Sequence, residues 1–228
     1  IHVSDRGRFG MVHMDRAEEG LPALGYVVPA RVIGDVLSAA VSQIGELDSY
    51  CPATVTSVSQ TDAAINIDVA CEGGTTTLSG ALLVAADGAD SPLREQFAIE
   101  HIESDYRQSA IVTNITPQLA HNNIAYERFT DNGPMALLPM TGQRCAVVWT
   151  VDASRVDEVM ALDDAGFLAA LQERFGYRLG RLDRVGRRQA WPLRLVQARE
   201  SVRERLALIG NAIHTLHPVA GQGFNLGA

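Results

Sequence analysis

Lysine is absent from this chain of 228 residues, in which all 19 basic side chains are arginines. The absence excludes enzymes that form a Schiff base through a lysine amine. It also excludes the phosphate-binding lysine of a P-loop and the paired lysine of a protein kinase. The longest apolar run covers residues 81–86, whereas a membrane-spanning helix needs roughly 20 apolar residues. We therefore expect no membrane-spanning helix, and nothing at the start of the chain resembles a signal peptide.

Cysteine and positive charge are also scarce. The three cysteines, Cys51, Cys71 and Cys145, are widely spaced, which fits unreactive thiols in a reducing compartment better than a disulfide framework or a zinc site. The formal charge of −8 would repel a nucleic acid backbone. With 46% apolar residues, the composition predicts a folded cytoplasmic protein of one large or two small domains that does not bind nucleic acid.

Local patterns in the first part of the chain predict one helix and several strands. Residues 32–44 have apolar side chains at helical spacing. Residues 53–58, 65–71 and 75–78 read as short strands separated by turn residues, which predicts a small antiparallel meander. Residues 81–86 are continuously apolar, which is typical of a strand buried on both faces of a parallel sheet.

The strand at residues 81–86 leads into the first segment with chemical content. Asp87 and Gly88 follow it, at the end of a parallel strand, where open α/β sheets bind their ligands. Ser91 and Pro92 have the residue types of a helix N-cap and first helical position. Asp-Gly is also a common turn and Ser-Pro a common helix start, so these residues alone leave a purely structural role open.

Residues 104–196 have a different pattern and are predicted to form a second, antiparallel domain. Residues 124–130, 135–140 and 145–151 are strand-like and are joined by short turn sequences. One helix, at residues 164–175, is expected within this domain because its apolar residues recur on one helical face.

The second segment with chemical content follows a predicted strand at residues 206–209. Gly221 and Gly223 would allow a ligand to approach the backbone closely, and a helix beginning near Phe224 would direct its first N–H groups at an anion. The segment is not a dinucleotide-binding G-x-G-x-x-G, because it follows a loop instead of a strand and its glycine spacing differs. The sequence therefore predicts an anion-binding loop here.

Two histidines in this segment, His214 and His217, do not indicate a metal site, because no third ligand stands at a recognisable spacing. A G-x-S-x-G nucleophile elbow is missing, which leaves serine hydrolase chemistry unsupported. His214 is the one candidate for acid–base catalysis, and a structural loop histidine is the alternative.

Together these segments resemble the flavin motifs of the group A FAD-dependent aromatic hydroxylases, and most closely the branch of 2-polyprenyl-6-methoxyphenol hydroxylases of ubiquinone biosynthesis. The resemblance covers the whole chain. The stretches that carry it are Asp87-Gly88-Ala89-Asp90-Ser91, Gly210-Asn211-Ala212, His217-Pro218, Gly221-Gln222-Gly223-Phe224-Asn225-Leu226, Glu127-Arg128-Phe129-Thr130, Gly133-Pro134, Leu138-Pro139-Met140 and Ile1-His2-Val3-Ser4-Asp5-Arg6-Gly7.

The resemblance implies a mixed α/β fold, in which a three-layer FAD-binding domain, incomplete in this chain, carries an inserted antiparallel substrate domain. Residues 15–103 and 197–228 would belong to the FAD-binding domain, residues 104–196 to the wall of the substrate pocket, and residues 1–14 to strands entering that domain. No metal is implied. The residues implied to contact the flavin are Asp87, Gly88, Gly210, Asn211, Pro218, Gly221, Gly223, Phe224 and Asn225.

The implied activity is hydroxylation of the ring of a polyprenyl phenol, with NAD(P)H reducing FAD and O2 supplying the oxygen. Asn211 stands where most of the wider group has aspartate, and its amide can hydrogen-bond a hydroxyl without adding charge. The family's G-x-G-x-x-G lies upstream of a segment like residue 1, and its closing helices lie beyond residue 228. The adenosine end of FAD therefore has no recognisable site in this chain.

Other interpretations remain open. A hydroxylase of a small soluble aromatic would have a closed polar pocket, whereas a prenylated substrate needs an apolar tunnel, which apolar residues 135–138 favour. A non-catalytic scaffold of a ubiquinone-synthesis complex would not need Gly221 and Gly223. Ten arginines between Arg174 and Arg205 stand against only three carboxylates. This excess suggests contact with an anionic membrane surface, or with other ubiquinone-synthesis proteins, and a peripheral location at the inner membrane.

Overall fold

A computed structural model describes residues 1–227 of the chain. These residues divide into two compact units, each built from separated segments of sequence. Unit 1 contains Ile1–Ser38 and Arg107–Leu193, and unit 2 contains Ala39–Tyr106 and the chain from Arg194 onward. The sequence division at residues 104 and 196 remains a prediction, as does the assignment of one part to a flavin and the other to a substrate.

The helices and strands of the described residues follow one another in chain order. They are β1 (His2–Asp5), β2 (Met11–His13), α1 (Ala30–Val41), β3 (Ala53–Gln60), β4 (Ile65–Cys71), β5 (Gly74–Gly80), β6 (Leu83–Ala85), α2 (Pro92–Gln96), β7 (His101–Pro117), β8 (Tyr126–Thr130), β9 (Gly133–Met140), β10 (Arg144–Asp152), α3 (Val156–Met160), α4 (Asp164–Phe175), β11 (Leu182–Val185), β12 (Gln189–Ala198), β13 (Val202–Arg203), β14 (Leu206–Leu208), β15 (His214–Thr215) and α5 (Gly223–Gly227). The mixed α/β class predicted from the sequence is confirmed.

Unit 1 is built on a sheet in which β11 and β10 flank β7, and β9, β8, β1 and β2 follow β10 in that order. The pairs β10–β9 and β9–β8 are antiparallel, as predicted. The pair β7–β10 is antiparallel as well, and β1 joins β8 in parallel. One face of the sheet packs against α4, where the ring centroids of Trp149 and Phe167 lie 5.5 Å apart. Because side chains alternate along a strand, this packing leaves the opposite face outside the core.

Helix α4 has the bounds that the sequence predicts, because both of its ends are encoded locally. The Asp163 carboxylate accepts a hydrogen bond of 2.7 Å from the Gly166 N–H at its start. Gly176 ends the helix with a φ of 85°, a left-handed conformation that glycine adopts without strain. The helix buries Phe167, Leu171 and Phe175 against the sheet.

Unit 2 contains two three-stranded sheets. Strands β3, β4 and β5 form the predicted antiparallel meander. In the other sheet β14 lies between β13 and β6, and β14 and β6 are parallel. Ala85, Leu206 and Leu208 of this second sheet form a small core with Leu93 of α2.

Three sequence expectations differ from the structure. Strand β6 is not buried on both faces: Val84 is 49% exposed, and of the three strand residues only Ala85 is buried. Helix α1 forms where predicted, yet none of its residues is buried, and Val36 is 63% exposed. The long strand β7 was not predicted, because its first half is polar and exposed and lacks an alternating pattern.

Candidate functional site

The two chemically informative segments meet at one edge of the sheet in unit 2. Strands β6 and β14 are parallel neighbours, with Leu83 opposite Leu206 and Ala85 opposite Leu208. The Ile209 N–H continues the ladder with a hydrogen bond of 2.9 Å to the Ala85 carbonyl. Parallel strands end at the same edge, so the loops that follow β6 and β14 are adjacent.

Arg94 of α2 connects these two loops through hydrogen bonds. Its side chain is 3% exposed, and its guanidinium donates to the Ala212 carbonyl at 3.0 Å and to the Ala89 carbonyl at 2.8 Å. Within residues 1–227 its Nε is shielded from solvent and has no hydrogen-bond partner. Arg94 was not predicted as a site residue, because it is one arginine among 19 and belongs to no motif.

The Asp87 carboxylate has a structural role at the start of α2. Its Oδ2 accepts a hydrogen bond of 3.0 Å from the Leu93 N–H, and the Ser91 hydroxyl accepts one of 3.0 Å from the Arg94 N–H. The predicted N-cap at Ser91 is thereby confirmed. Gly88 has a φ of 89°, so the turn itself requires glycine. Asp87 remains exposed, and its other oxygen is available to a ligand.

Gly210 and Asn211 form a single 3-10 turn with Ala212 directly after β14. Gly210 has a φ of 57°, and a Cβ added to Gly227 would lie 3.3 Å from the Gly210 Cα. The start of this turn and the end of α5 are thus in close backbone contact. The Asn211 side chain is exposed and makes no hydrogen bond with the described residues, which leaves its amide free to bind a hydroxyl.

The loop before α5 is a second 3-10 turn, Pro218–Ala220. The His217 Nδ1 accepts a hydrogen bond of 3.1 Å from the Val219 N–H, and Gly221 closes the turn with a φ of 60°. Gly223 differs from these positions, because its φ is not positive and a Cβ added there meets nothing within 4 Å. Neither backbone conformation nor packing among the described residues requires glycine at 223.

Helix α5 begins one residue before the predicted start at Phe224. It has five residues, which is too short for a substantial helix dipole, so its unpaired first N–H groups are the donors that an anion could use. The Phe224 ring is 70% exposed. The side-chain amide of Asn225 donates a hydrogen bond of 2.7 Å to the Gln222 side-chain oxygen.

The two histidines lie in different surroundings. His214 is half-buried on β15, opposite Gln197 of β12. His217 meets the edge of the Tyr106 ring at 5.2 Å, and burial lowers its pKa, which favours the neutral imidazole. In the described part of the chain no three His, Cys, Asp or Glu side chains form a group that could hold a metal ion. The role of His214 stays a prediction.

Comparison with known proteins places these loops in context. The family model described as "FAD binding domain" matches residues 7–228. Uncharacterized protein slr1300 of Synechocystis is 37% identical over all of this chain and 55% of its own length. Ubiquinone hydroxylase UbiL of Rhodospirillum rubrum is 35% identical over all of this chain and 52% of its own length. The 3-demethoxyubiquinol 3-hydroxylase of Escherichia coli is 30% identical over 95% of this chain and 54% of its own length.

Solved structures share the fold. The flavin-dependent brominase Bmp2 matches 99% of this chain and 58% of its own with a TM-score of 0.76 and 13% identity. The p-nitrophenol 4-monooxygenase PnpA of Pseudomonas putida matches 85% of this chain and 49% of its own, with a TM-score of 0.70 and 18% identity. The chain spans about half the length of the curated relatives it matches.

Proposed function

This chain belongs to the FAD binding domain family, and on that premise we propose that it is part of an FAD-dependent aromatic monooxygenase of ubiquinone biosynthesis. The substrate would be the ring of a polyprenyl phenol, with NAD(P)H as reductant and O2 as oxygen source. The similarity to proteins named ubiquinone hydroxylase and 3-demethoxyubiquinol 3-hydroxylase supports this function.

The flavin would lie against the loops that follow β6 and β14. The parallel pairing of β6 with β14 carries this assignment, because it brings the Asp87-Gly88 turn and the glycine loop to one edge of the sheet. Within that loop, Gly223 is a glycine that neither its φ nor packing among the described residues requires. A ligand that approaches the backbone there supplies the missing reason, since a side chain would occupy its space. Bound in this position, FAD supplies electron transfer from NAD(P)H and the activation of O2.

The residues around the loops suit the polar parts of such a ligand. The N–H groups at the start of α5 are donors for phosphate or anionic ring atoms. The free amide of Asn211 and the available oxygen of Asp87 are partners for ribityl hydroxyls. Arg94 would act without contacting the flavin, because its hydrogen bonds to two backbone carbonyls fix one loop relative to the other. Gly88, Gly210, Pro218 and Gly221 set the backbone path of these loops.

The absorption spectrum of the intact protein tests this proposal. We expect the two bands of oxidised flavin in the purified or FAD-supplemented protein. Gly223→Val should weaken FAD binding by roughly ten- to a hundredfold, which corresponds to an overpacking cost of about 1–3 kcal/mol. Gly73→Val is the matched control, because Gly73 also lies in open space without a positive φ. A parent protein without flavin bands after FAD addition would refute the proposal.

Contact with an anionic lipid surface is the second part of the proposal. Within the arginine-rich segment, Arg174 and Arg188 pair with Asp131 and Asp164. Exposed arginines without a carboxylate partner among the described residues include Arg181, Arg184 and Arg187, all in unit 1. They provide the positive charge that an anionic headgroup attracts. No helix in the described part of the chain has the length and apolar character to cross a bilayer.

The apolar run at residues 135–138 gives less support to a substrate tunnel than the sequence suggested. Met135 and Leu137 are fully buried in the core of unit 1. Because side chains alternate, only Ala136 and Leu138 lie on the opposite, half-buried face of β9. A substrate in unit 1 would therefore lie against this half-buried face.

A further inference from the structure

The face of the unit 1 sheet that points away from α4 carries a carboxyl group. In β8, Tyr126 lies on the core side, where its ring meets Phe175 edge-on at 5.6 Å. Glu127 is the next residue, so its side chain lies on the opposite face. There it is flanked by Val3 of β1 and Ala136 of β9, its partners in register.

Glu127 has an oxygen that needs a hydrogen-bond donor. Its Oε1 is shielded from solvent and has no partner in the described chain, and no ion pair with Glu127 is present there. A buried acceptor without a donor is unfavourable, because it has lost its hydrogen bonds to water and gained none in return. Burial among apolar neighbours raises the pKa of this carboxyl to about 7. The other oxygen, Oε2, is not shielded in this way, so a ligand that brings an O–H or N–H group to this face would give the carboxyl a donor there.

The charged groups around Glu127 do not supply that donor. On β1 the titratable side chain of the same face is Asp5, two residues along, and it pairs with Arg8 at 3.2 Å. Strand β9 contains no titratable residue. Tyr126 and Arg128 flank Glu127 in sequence and therefore lie on the other face of β8. The immediate neighbours of Glu127 on these strands are therefore apolar, and none of them offers its carboxyl a donor or a positive charge.

We propose that Glu127 binds the hydroxyl group of a phenolic substrate whose ring lies on the apolar face next to Val3 and Ala136. This inference rests on the proposed function and specifies the substrate as a ring with a free hydroxyl. In the proton step the phenolic O–H bond breaks, the proton moves to the Glu127 carboxylate, and a phenolate remains beside a neutral carboxylic acid. No electron is gained or lost, and the ring becomes more electron-rich and more easily hydroxylated.

The chemistry of the face favours a phenol over other donors. An ammonium ion would have to give up its hydration to lie among apolar side chains, whereas an aromatic ring gains from that contact. A proton acceptor works best when its pKa is close to the working pH. Glu127 meets this condition, while a solvent-exposed glutamate does not.

Calorimetric binding of two small probes to the intact protein tests the proposal. The probes are 2-methoxyphenol and its methyl ether, 1,2-dimethoxybenzene, measured from about pH 5.5 to about pH 8.5 to bracket the Glu127 titration. We expect the preference for the phenol to rise roughly tenfold through pH 7, because a hydrogen bond to a charged acceptor is stronger. Glu127→Gln should abolish the rise, and Glu127→Asp should keep part of it.

Asp5→Asn is the matched control, since it removes the neighbouring titratable group on the same face and should keep the rise. A Glu127→Gln protein that retains both its fold and the pH-dependent preference would overturn the proposal. So would a parent protein that binds both probes equally, or that binds benzylamine in their place. Flavin content is measured separately: its absence would refute the proposed function, while the comparison of phenol and ether, which needs no turnover, still decides the role of Glu127.

Discussion

Replacing Arg94 with methionine should loosen the two loops of unit 2 without unfolding unit 1. The substitution keeps an unbranched side chain and removes two hydrogen bonds from a charged donor, each contributing about 1.5–3 kcal/mol. Against this, the variant no longer buries a guanidinium whose Nε lacks a partner, which recovers about 1–2 kcal/mol. We therefore expect a net loss of about 2–4 kcal/mol in the opening free energy of this region.

Amide hydrogen exchange is the assay that reports this loss where it occurs. Both tryptophans, Trp149 and Trp191, lie in unit 1, so tryptophan fluorescence follows that unit and not the loops. The N–H groups of Leu83 and Ile209 are bonded across β6 and β14 and report unit 2. Their exchange should become roughly 30- to 700-fold faster in Arg94→Met, while the fluorescence-detected unfolding changes little.

Arg205→Met is the matched control for this experiment. Arg205 also donates to two backbone carbonyls, those of Ala81 at 3.2 Å and Asp62 at 2.5 Å, and its Nε likewise lacks a partner among the described residues. It differs from Arg94 in that the residue is only half-buried and both hydrogen bonds lie at the surface. Its loss should change exchange by less than about tenfold, because exposed carbonyls are satisfied by water. If the two substitutions changed amide exchange equally, or if Arg94→Met did not change it, the argument that buried hydrogen bonds of Arg94 stabilise these loops would be refuted.

Two further predictions follow from charges in unit 1. The pKa of Glu127 is about 7 when folded against 4.5 ordinarily, so the folded state binds the extra proton and stability falls as pH rises between these values. Urea unfolding followed by tryptophan fluorescence should show that Glu127→Gln loses up to about 2 kcal/mol of this difference between the two pH limits, a value reduced for solvent screening of a partly exposed carboxyl. Replacing Arg184 and Arg187 with glutamate should weaken binding to vesicles rich in phosphatidylglycerol by at least roughly tenfold. Binding to phosphatidylcholine vesicles should not change. Equal binding of parent and variant to the anionic vesicles would contradict the proposed lipid contact.

Elements with local signals could be predicted from the sequence alone. The cap at Asp163 and the stop at Gly176 define α4, and the alternation of residues 65–71 defines β4. These signals depend on neighbours a few residues away, so they survive without knowledge of the fold. Strand β7 lacked such a signal, because its polar first half has no buried face to mark it.

The candidate site was only partly predictable. Its glycines and Asp87 belong to recognisable segments, whereas Arg94 is one arginine among 19 and gave no motif. Glu127 stood within a stretch used only for resemblance, and its importance depends on burial. Burial of a single carboxyl depends on which strands flank it, and the local pattern of β8 does not specify those neighbours.

By itself the sequence determined the chemistry available to this chain: no amine catalysis, an Asp-Gly turn after an apolar strand, and a glycine loop suited to an anion. Tertiary structure alone decided that these parts meet. Arg94 and Ala212 are 118 residues apart and become hydrogen-bonded only because β6 and β14 pair in parallel. Likewise, Glu127 acquires its altered acidity only because β1 and β9 surround it with apolar side chains, and such long-range contacts exist only once the whole chain has folded.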